Sequence, residues 1–239
     1  MAFDFIAGET LWIDKPLEWT SFDVVKRLRS VIQHRLHIRK LKVGHAGTLD
    51  PLATGVMIVV TGRSTKLIEQ LQAGVKEYVA TLQLGATTPS FDLETEIDAY
   101  FPTDHITGEM IEQVLTRFRG RIEQVPPAFS ACKVDGHRAY TMARKGRDVE
   151  LKPKELVIDE IEIVDFCQQE MSLTLRIVCS KGTYIRALAR DIGEALSSGA
   201  HLTALRRTRV GDISIDDCLS VDRAVEIIRN ADVVMPEIE

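Results

Sequence analysis

Residues 44–55 read GHAGTLDPLATG, and residues 56–61 read VMIVVT. Three glycines and a proline within twelve residues specify a rigid, sharply turned loop. The apolar run behind it is short and β-branched, which predicts a buried strand. Pro51 disfavours helical backbone at Asp50 and pushes that residue toward an extended conformation. A single carboxylate is thus held on constrained backbone between a basic segment and a core strand. Asp-Pro is also a common turn former, so the spacing alone does not make Asp50 reactive.

Upstream of the loop, Ser21 is placed to cap a helix running to about Gln33, with Val24, Val25, Leu28, Val31 and Ile32 on one side. Downstream, a helix is predicted with Leu67, Ile68 and Leu71 inward, then a strand on which Tyr78, Ala80, Leu82 and Leu84 share a face. Thr107 opens an amphipathic helix (Met110, Ile111, Val114, Leu115, Phe118) that stops at Gly120. A short helix over residues 137–145 and strands over 155–166 and 171–179 follow. Ile185, Leu188, Ala189, Ile192, Ala195 and Leu196 mark a helix closed by Gly199, and a last helix runs from Ser220 to Arg229. Without regular βαβ alternation, this order predicts an α+β fold whose central sheet is mixed but largely antiparallel and flanked by helices. No repeat or linker divides the 239 residues, so a single domain over 1–239 is expected.

Charge is segregated although the net value is only −5. Nine Lys/Arg lie between Lys26 and Lys66 against one acid, Asp50, and ten lie between Arg117 and Lys154 against four acids. Residues 92–112 carry seven acids and no Lys or Arg, and residues 212–239 carry eight acids against two arginines. A local positive surface of this kind suits a polyanion. No apolar run reaches the roughly 20 residues of a membrane helix, and the N-terminus lacks the pattern of a signal peptide, so a cytoplasmic protein is expected. Four dispersed cysteines (Cys132, Cys167, Cys179, Cys218) form no C-x-x-C pair and predict neither a metal site nor a disulfide framework. Cys179 continues the apolar face of Met171, Leu173, Leu175 and Ile177, as a small buried hydrophobe would. No P-loop and no G-x-G-x-x-G is present, so no nucleotide cofactor is expected.

Several segments together resemble one family. GHAGTLDPLATG is similar to the TruB signature around the catalytic aspartate. KEYVATLQLG (76–85) resembles the segment carrying the active-site tyrosine, and CSKGTYIRALARDIG (179–193) the one holding a second tyrosine and an arginine. LWIDKPLEWTSFDVV (11–25), FRGRIEQVPPAFSACKVDGHRAYTMARKG (118–146) and GAHLTALRRTRVG (199–211) extend the match, in the family's order, over about residues 11 to 211.

The resemblance implies the pseudouridine synthase fold and an enzyme that isomerises uridine 55 in the T loop of tRNA, with no cofactor and no metal. It implies Asp50 as nucleophile, or as the base starting elimination, at the ribose. Arg186 would be its counter-ion, Tyr78 would stack on the flipped uracil and serve proton transfer at C5, and Tyr184 and Leu205 would pack around it. His45 corresponds to the histidine that takes the flipped base's place in the RNA stack. Lys15, Arg39, Lys40, Lys42 and Lys66 are expected phosphate contacts, and Asp92 an acidic brace. Pro89 stands where relatives often carry an acid, and the chain is too short for the C-terminal PUA domain of many relatives. The T arm is therefore expected to be held by the catalytic domain, by a monomer. A tRNA-folding chaperone on the same scaffold, or a synthase acting on another RNA, are the alternative readings.

Overall fold

In the computed structural model, residues 2–127, 133–134, 137–138 and 151–236 are described, and they fall into two compact units. The first unit comprises residues 2–76 and 206–236, and the second residues 77–205.

In the first unit, β1 (Thr10–Lys15) pairs antiparallel with β3 (Ala53–Thr61), and β3 also pairs antiparallel with β2 (Val43–His45). β14 (Leu219–Ser220) lies parallel to β1 on its other edge. Residues 206–210 of β12 (Ala200–Val210) neighbour β3 and turn back antiparallel into β13 (Ile213–Ser214). β3 is buried almost throughout because both its faces are covered. Met57 and Val59 face a cluster with Ile13 of β1, Val24, Leu28 and Ile32 of α1 (Ser21–Leu36), and Val225 and Ile228 of α5 (Val221–Asn230). Val56, Ile58 and Val60 point the other way, toward Ala46 and Val210. Period-two alternation along one strand therefore serves two cores.

Two helix expectations in this unit are corrected. Thr20, not Ser21, is the N-cap of α1: its hydroxyl accepts from the Asp23 N–H while the Asp23 carboxylate accepts from the Thr20 N–H. Ser21 is displaced into the first turn by a tertiary bond described below. Leu67 does not face inward but is 46% exposed at the end of a 3-10 turn (Gly62–Leu67). Only Ile68 and Leu71 of the short α2 (Ile68–Gln72) pack on the core.

In the second unit the strand order is β12, β4 (Lys76–Leu84), β11 (Ser172–Cys179), β10 (Lys154–Cys167), β7 (Gly120–Gln124), with residues 200–205 and 77–84 as the β12 and β4 portions. β10 runs antiparallel to both β11 and β7 and is bulged between Ile158 and Glu160 and between Ile163 and Asp165. β5 (Ala86–Thr87) and β6 (Ala99–Tyr100) form a small antiparallel pair. Tyr78, Ala80, Leu82 and Leu84 are all buried, as their alternation requires, and so is Cys179. α3 (Gly108–Leu115) passes into a 3-10 turn (Thr116–Phe118) before Gly120. α4 (Ile185–Ala195) is capped at Leu196, with Ser197 at φ 53°, so it ends before Gly199. The helix expected over residues 137–145 is replaced at its start by β9 (His137–Arg138), which pairs with β8 (Lys133–Val134); the rest of it lies outside the described residues.

Candidate active site: the Asp50 turn

Asp50 occupies the first position of a four-residue turn closed by Ala53 N–H donating to the Asp50 carbonyl at 3.0 Å, with Pro51 second. The backbone around it is held at every step. Arg207 donates from Nη2 to the Gly47 carbonyl at 3.2 Å and from Nη1 to the Thr48 carbonyl at 3.4 Å. Ser21 Oγ donates to the Leu49 carbonyl at 3.0 Å and accepts from the Leu49 N–H at 2.9 Å. The Pro51 carbonyl accepts from Glu18 N–H at 2.9 Å and from Lys15 Nζ at 3.3 Å. All five carbonyls from Gly47 to Pro51 thus have donors, and only one of these bonds lies within the loop. A run of carbonyls that all have donors gives this backbone little reason to rearrange.

Two glycines make this path possible. Gly47 sits at φ 103° and Gly55 at φ 107°, where side chains are strained. A Cβ on Gly55 would also collide with the carbonyl oxygen of Arg207.

Lys15 departs from its expected role. Its side chain has no exposed surface, and its ammonium donates to Pro16 O at 2.9 Å, Trp19 O at 2.5 Å and Pro51 O at 3.3 Å. An enclosed ammonium with three carbonyl acceptors braces the loop from behind instead of reaching a phosphate. Burial pushes its pKa down to about 8, with nearby Asp50 resisting the fall and Arg207 adding to it. His45, half-buried at the end of β2, also has its pKa lowered, first by burial and further by Arg207, against a backbone hydrogen bond at Gly47. A neutral, flat imidazole is suited to stacking. Lys66, Arg39, Lys40 and Lys42 are exposed and free to meet a phosphate surface.

In the second unit, Arg186 is the second residue of α4 and only 5% exposed. Its Nε lies 3.6 Å from Asp92 Oδ2, and its Nη1 donates to the Ser90 carbonyl at 3.1 Å. A cation in the first helical turn opposes the helix dipole, and the buried Asp92 carboxylate offsets that. Asp92 is fixed in turn by accepting from Glu94 N–H at 2.9 Å. Tyr184 is the N-cap of α4; its N–H and carbonyl are both engaged by the Gln124 side-chain amide, at 2.9 and 3.2 Å. Tyr78 is buried on β4, while Tyr184 and Leu205 are half-buried.

Ser21, Arg207 and Gln124 are missing from the sequence reading as site residues. Ser21 reads as a helix cap, and Arg207 is one of three arginines in the RRTR run. Only the strand alternation of β12 separates buried Arg207 from Arg206, whose Nη2 lies 2.8 Å from Asp14 Oδ2. Among the described residues no His/Cys/Asp/Glu group is arranged to hold a metal ion, and no helix is long and apolar enough to cross a membrane.

The α+β fold with its largely antiparallel sheet is that of the pseudouridylate synthases. Residues 33–185 match the model of the TruB family pseudouridylate synthase N-terminal domain, and residues 186–232 that of the tRNA pseudouridylate synthase B C-terminal domain. The chain belongs to the TruB family. It is 67% identical over 92% of its length to the tRNA pseudouridine synthase B of Phocaeicola vulgatus, covering 92% of that protein. It is 48% identical over 91% of its length to the protein of that name from Flavobacterium johnsoniae, covering 95% of it. Among solved structures it is similar to a chain of a Cbf5–Nop10–Gar1 complex, with 28% identity and a TM-score of 0.70 over 93% of this chain. It also resembles a chain of an H/ACA RNP bound to a substrate RNA containing 2'-deoxyuridine, with 26% identity, a TM-score of 0.66 and 93% of this chain covered. The chain spans about half the length of those two, 54% and 53%.

Proposed function

We propose that this TruB-family chain converts uridine 55 in the T loop of tRNA to pseudouridine, with Asp50 as the group acting at the ribose. The Asp50 turn carries the reading, because a carboxylate that must meet one carbon of a sugar has to be held in place before the substrate arrives. The relatives named tRNA pseudouridine synthase B support the substrate class.

The target uridine leaves the RNA stack to reach the site. Asp50 then either attacks C1′ directly or removes a ribose proton to begin elimination; both routes break the bond from N1 to C1′. The uracil turns so that C5 faces the sugar; as the bond from C5 to C1′ forms, either the Asp50–C1′ bond breaks or Asp50 returns the ribose proton, and then C5 loses its proton and N1 gains one. The product is an isomer of the substrate, so the atoms balance without a second reactant. Tyr78 is the proposed stacking partner and proton carrier at C5, and Arg186, oriented by Asp92, the proposed counter-ion of Asp50. Tyr184 and Leu205 line the uracil side, and His45 fills the gap left in the RNA. Lys66, Arg39, Lys40 and Lys42 meet phosphates of the T arm, and the enzyme works as a cytoplasmic monomer.

The test is a T-arm stem-loop, wild-type in sequence or with cytidine at position 55, incubated with the protein and mapped chemically for pseudouridine. Product at position 55 alone, absent from the cytidine RNA, is expected. Binding without product would favour a folding chaperone, and product at other uridines a different RNA target.

A further inference from the structure

Arg207 is among the largest fully buried side chains of the molecule, and among the described residues it forms no ion pair. Its acceptors are the carbonyls of Gly47, Thr48 and Val56, the last bonded from Nε at 2.8 Å. A buried guanidinium facing only neutral dipoles costs stability that a neutral side chain of the same size would not. Something other than stability has to account for it.

The placement of the three acceptors supplies the reason. Gly47 and Thr48 precede Asp50 in the loop, and Val56 follows it on β3. One planar, rigid fork therefore clamps entry and exit of the Asp50 turn to each other across the intervening chain. Lysine has no such fork: its ammonium is a single point on a flexible stem. The fit is tight at Gly55, which leaves no room for a Cβ against the Arg207 backbone, while at Gly47 the nearest atom to a Cβ would be Arg207 Nη1 at an ordinary contact distance of 3.5 Å. Lys15 holds the same turn from the Pro51 side, but its proton comes off near pH 8, whereas a guanidinium keeps its charge.

We infer that Arg207 is the positioning residue of the Asp50 turn: it sets the distance between carboxylate and ribose without touching the RNA. This rests on the assignment of Asp50 above. The RRTR run is thereby divided by strand alternation, with Arg206 tied to Asp14 and to Thr54 at the loop's exit and Arg207 committed to the loop itself.

The experiment compares wild type, Arg207→Met, Arg207→Lys and Asp50→Asn by single-turnover pseudouridine formation at saturating enzyme, by stem-loop affinity, and by thermal melting. Loss of position predicts that Arg207→Met slows the rate roughly 100-fold, as a displacement of about 1 Å does, while affinity stays within about threefold. Arg207→Lys, keeping charge but not the fork, should be slowed at least about tenfold. An Arg207→Met protein that reacts at the wild-type rate overturns the inference. So does one whose rate falls only in proportion to its affinity or folded fraction. If Arg207→Met does not fold, Arg207→Lys decides: a wild-type rate overturns the inference, and a slowed rate with retained affinity supports it. An active Asp50→Asn would instead remove the assignment beneath it, which keeps the two failures apart.

Discussion

Ser21 and Leu49 exchange two hydrogen bonds through one hydroxyl: Ser21 Oγ accepts from the Leu49 N–H at 2.9 Å and donates to its carbonyl at 3.0 Å. Both residues are buried, and they lie 28 positions apart in sequence, so the first turn of α1 is tied directly to the residue before Asp50. Ser21→Ala leaves a buried donor and acceptor unmet, which costs about 1–3 kcal/mol for each group. Denaturant melting should show a destabilisation of at least about 1–3 kcal/mol, with a slower turnover. Ser21→Thr should recover part of both. An alanine variant as stable as wild type would show that the bond contributes nothing.

Gly47 and Gly55 share the same backbone region but not the same surroundings. Gly47→Ala meets only strain, on the order of 1–3 kcal/mol, because its nearest new neighbour is at ordinary van der Waals distance. Gly55→Ala adds a collision with the Arg207 carbonyl and should exceed that cost, giving little folded protein. Side-by-side expression and melting would check the order; equal destabilisation would mean that Arg207 moves aside freely.

Lys15 gives a pH signature of defined sign. Its folded pKa of about 8 lies below its ordinary 10.5. Between these values the unfolded chain binds a proton that the folded chain does not, so stability rises with pH across that window. Below pH 8 the full cost of the buried charge is present. The stability of wild type relative to Lys15→Met should therefore increase from about pH 7 to about pH 10 in urea titrations, and a decrease would contradict the burial argument.

The exposed cations around the loop should reveal themselves through salt. Stem-loop affinity is expected to fall steeply with ionic strength, and removing Lys40 and Lys42 together should lower the salt slope by roughly one for each phosphate no longer neutralised. A slope unchanged by the double substitution would place the phosphates elsewhere.

The helices and core strands were legible because their periodicities are strong. Val24 to Ile32 repeat at helical spacing, Tyr78 to Leu84 at strand spacing, and the corresponding elements bury those faces. The corrections arise where two residues could play one part, or where charge hides a pattern. Thr20 and Ser21 both suit an N-cap, and only the distant Leu49 decides between them. β12 was obscured because Arg206, Arg207 and Arg209 break its apolar alternation. Lys15 reads as a surface cation in any local window; its burial depends on the carbonyls of Trp19 and Pro51 converging on it. The family motifs pointed to Asp50, whereas the braces behind it are products of tertiary structure.

The central claim is that Asp50, held on its tied turn, carries out the reaction at the ribose. Its most direct test is the single-turnover yield of pseudouridine at position 55 of a T-arm stem-loop, for wild type against Asp50→Asn at matched RNA occupancy. Wild type should convert the uridine, and the variant should bind the same RNA and yield no product. Equal yield from the two proteins would contradict the account.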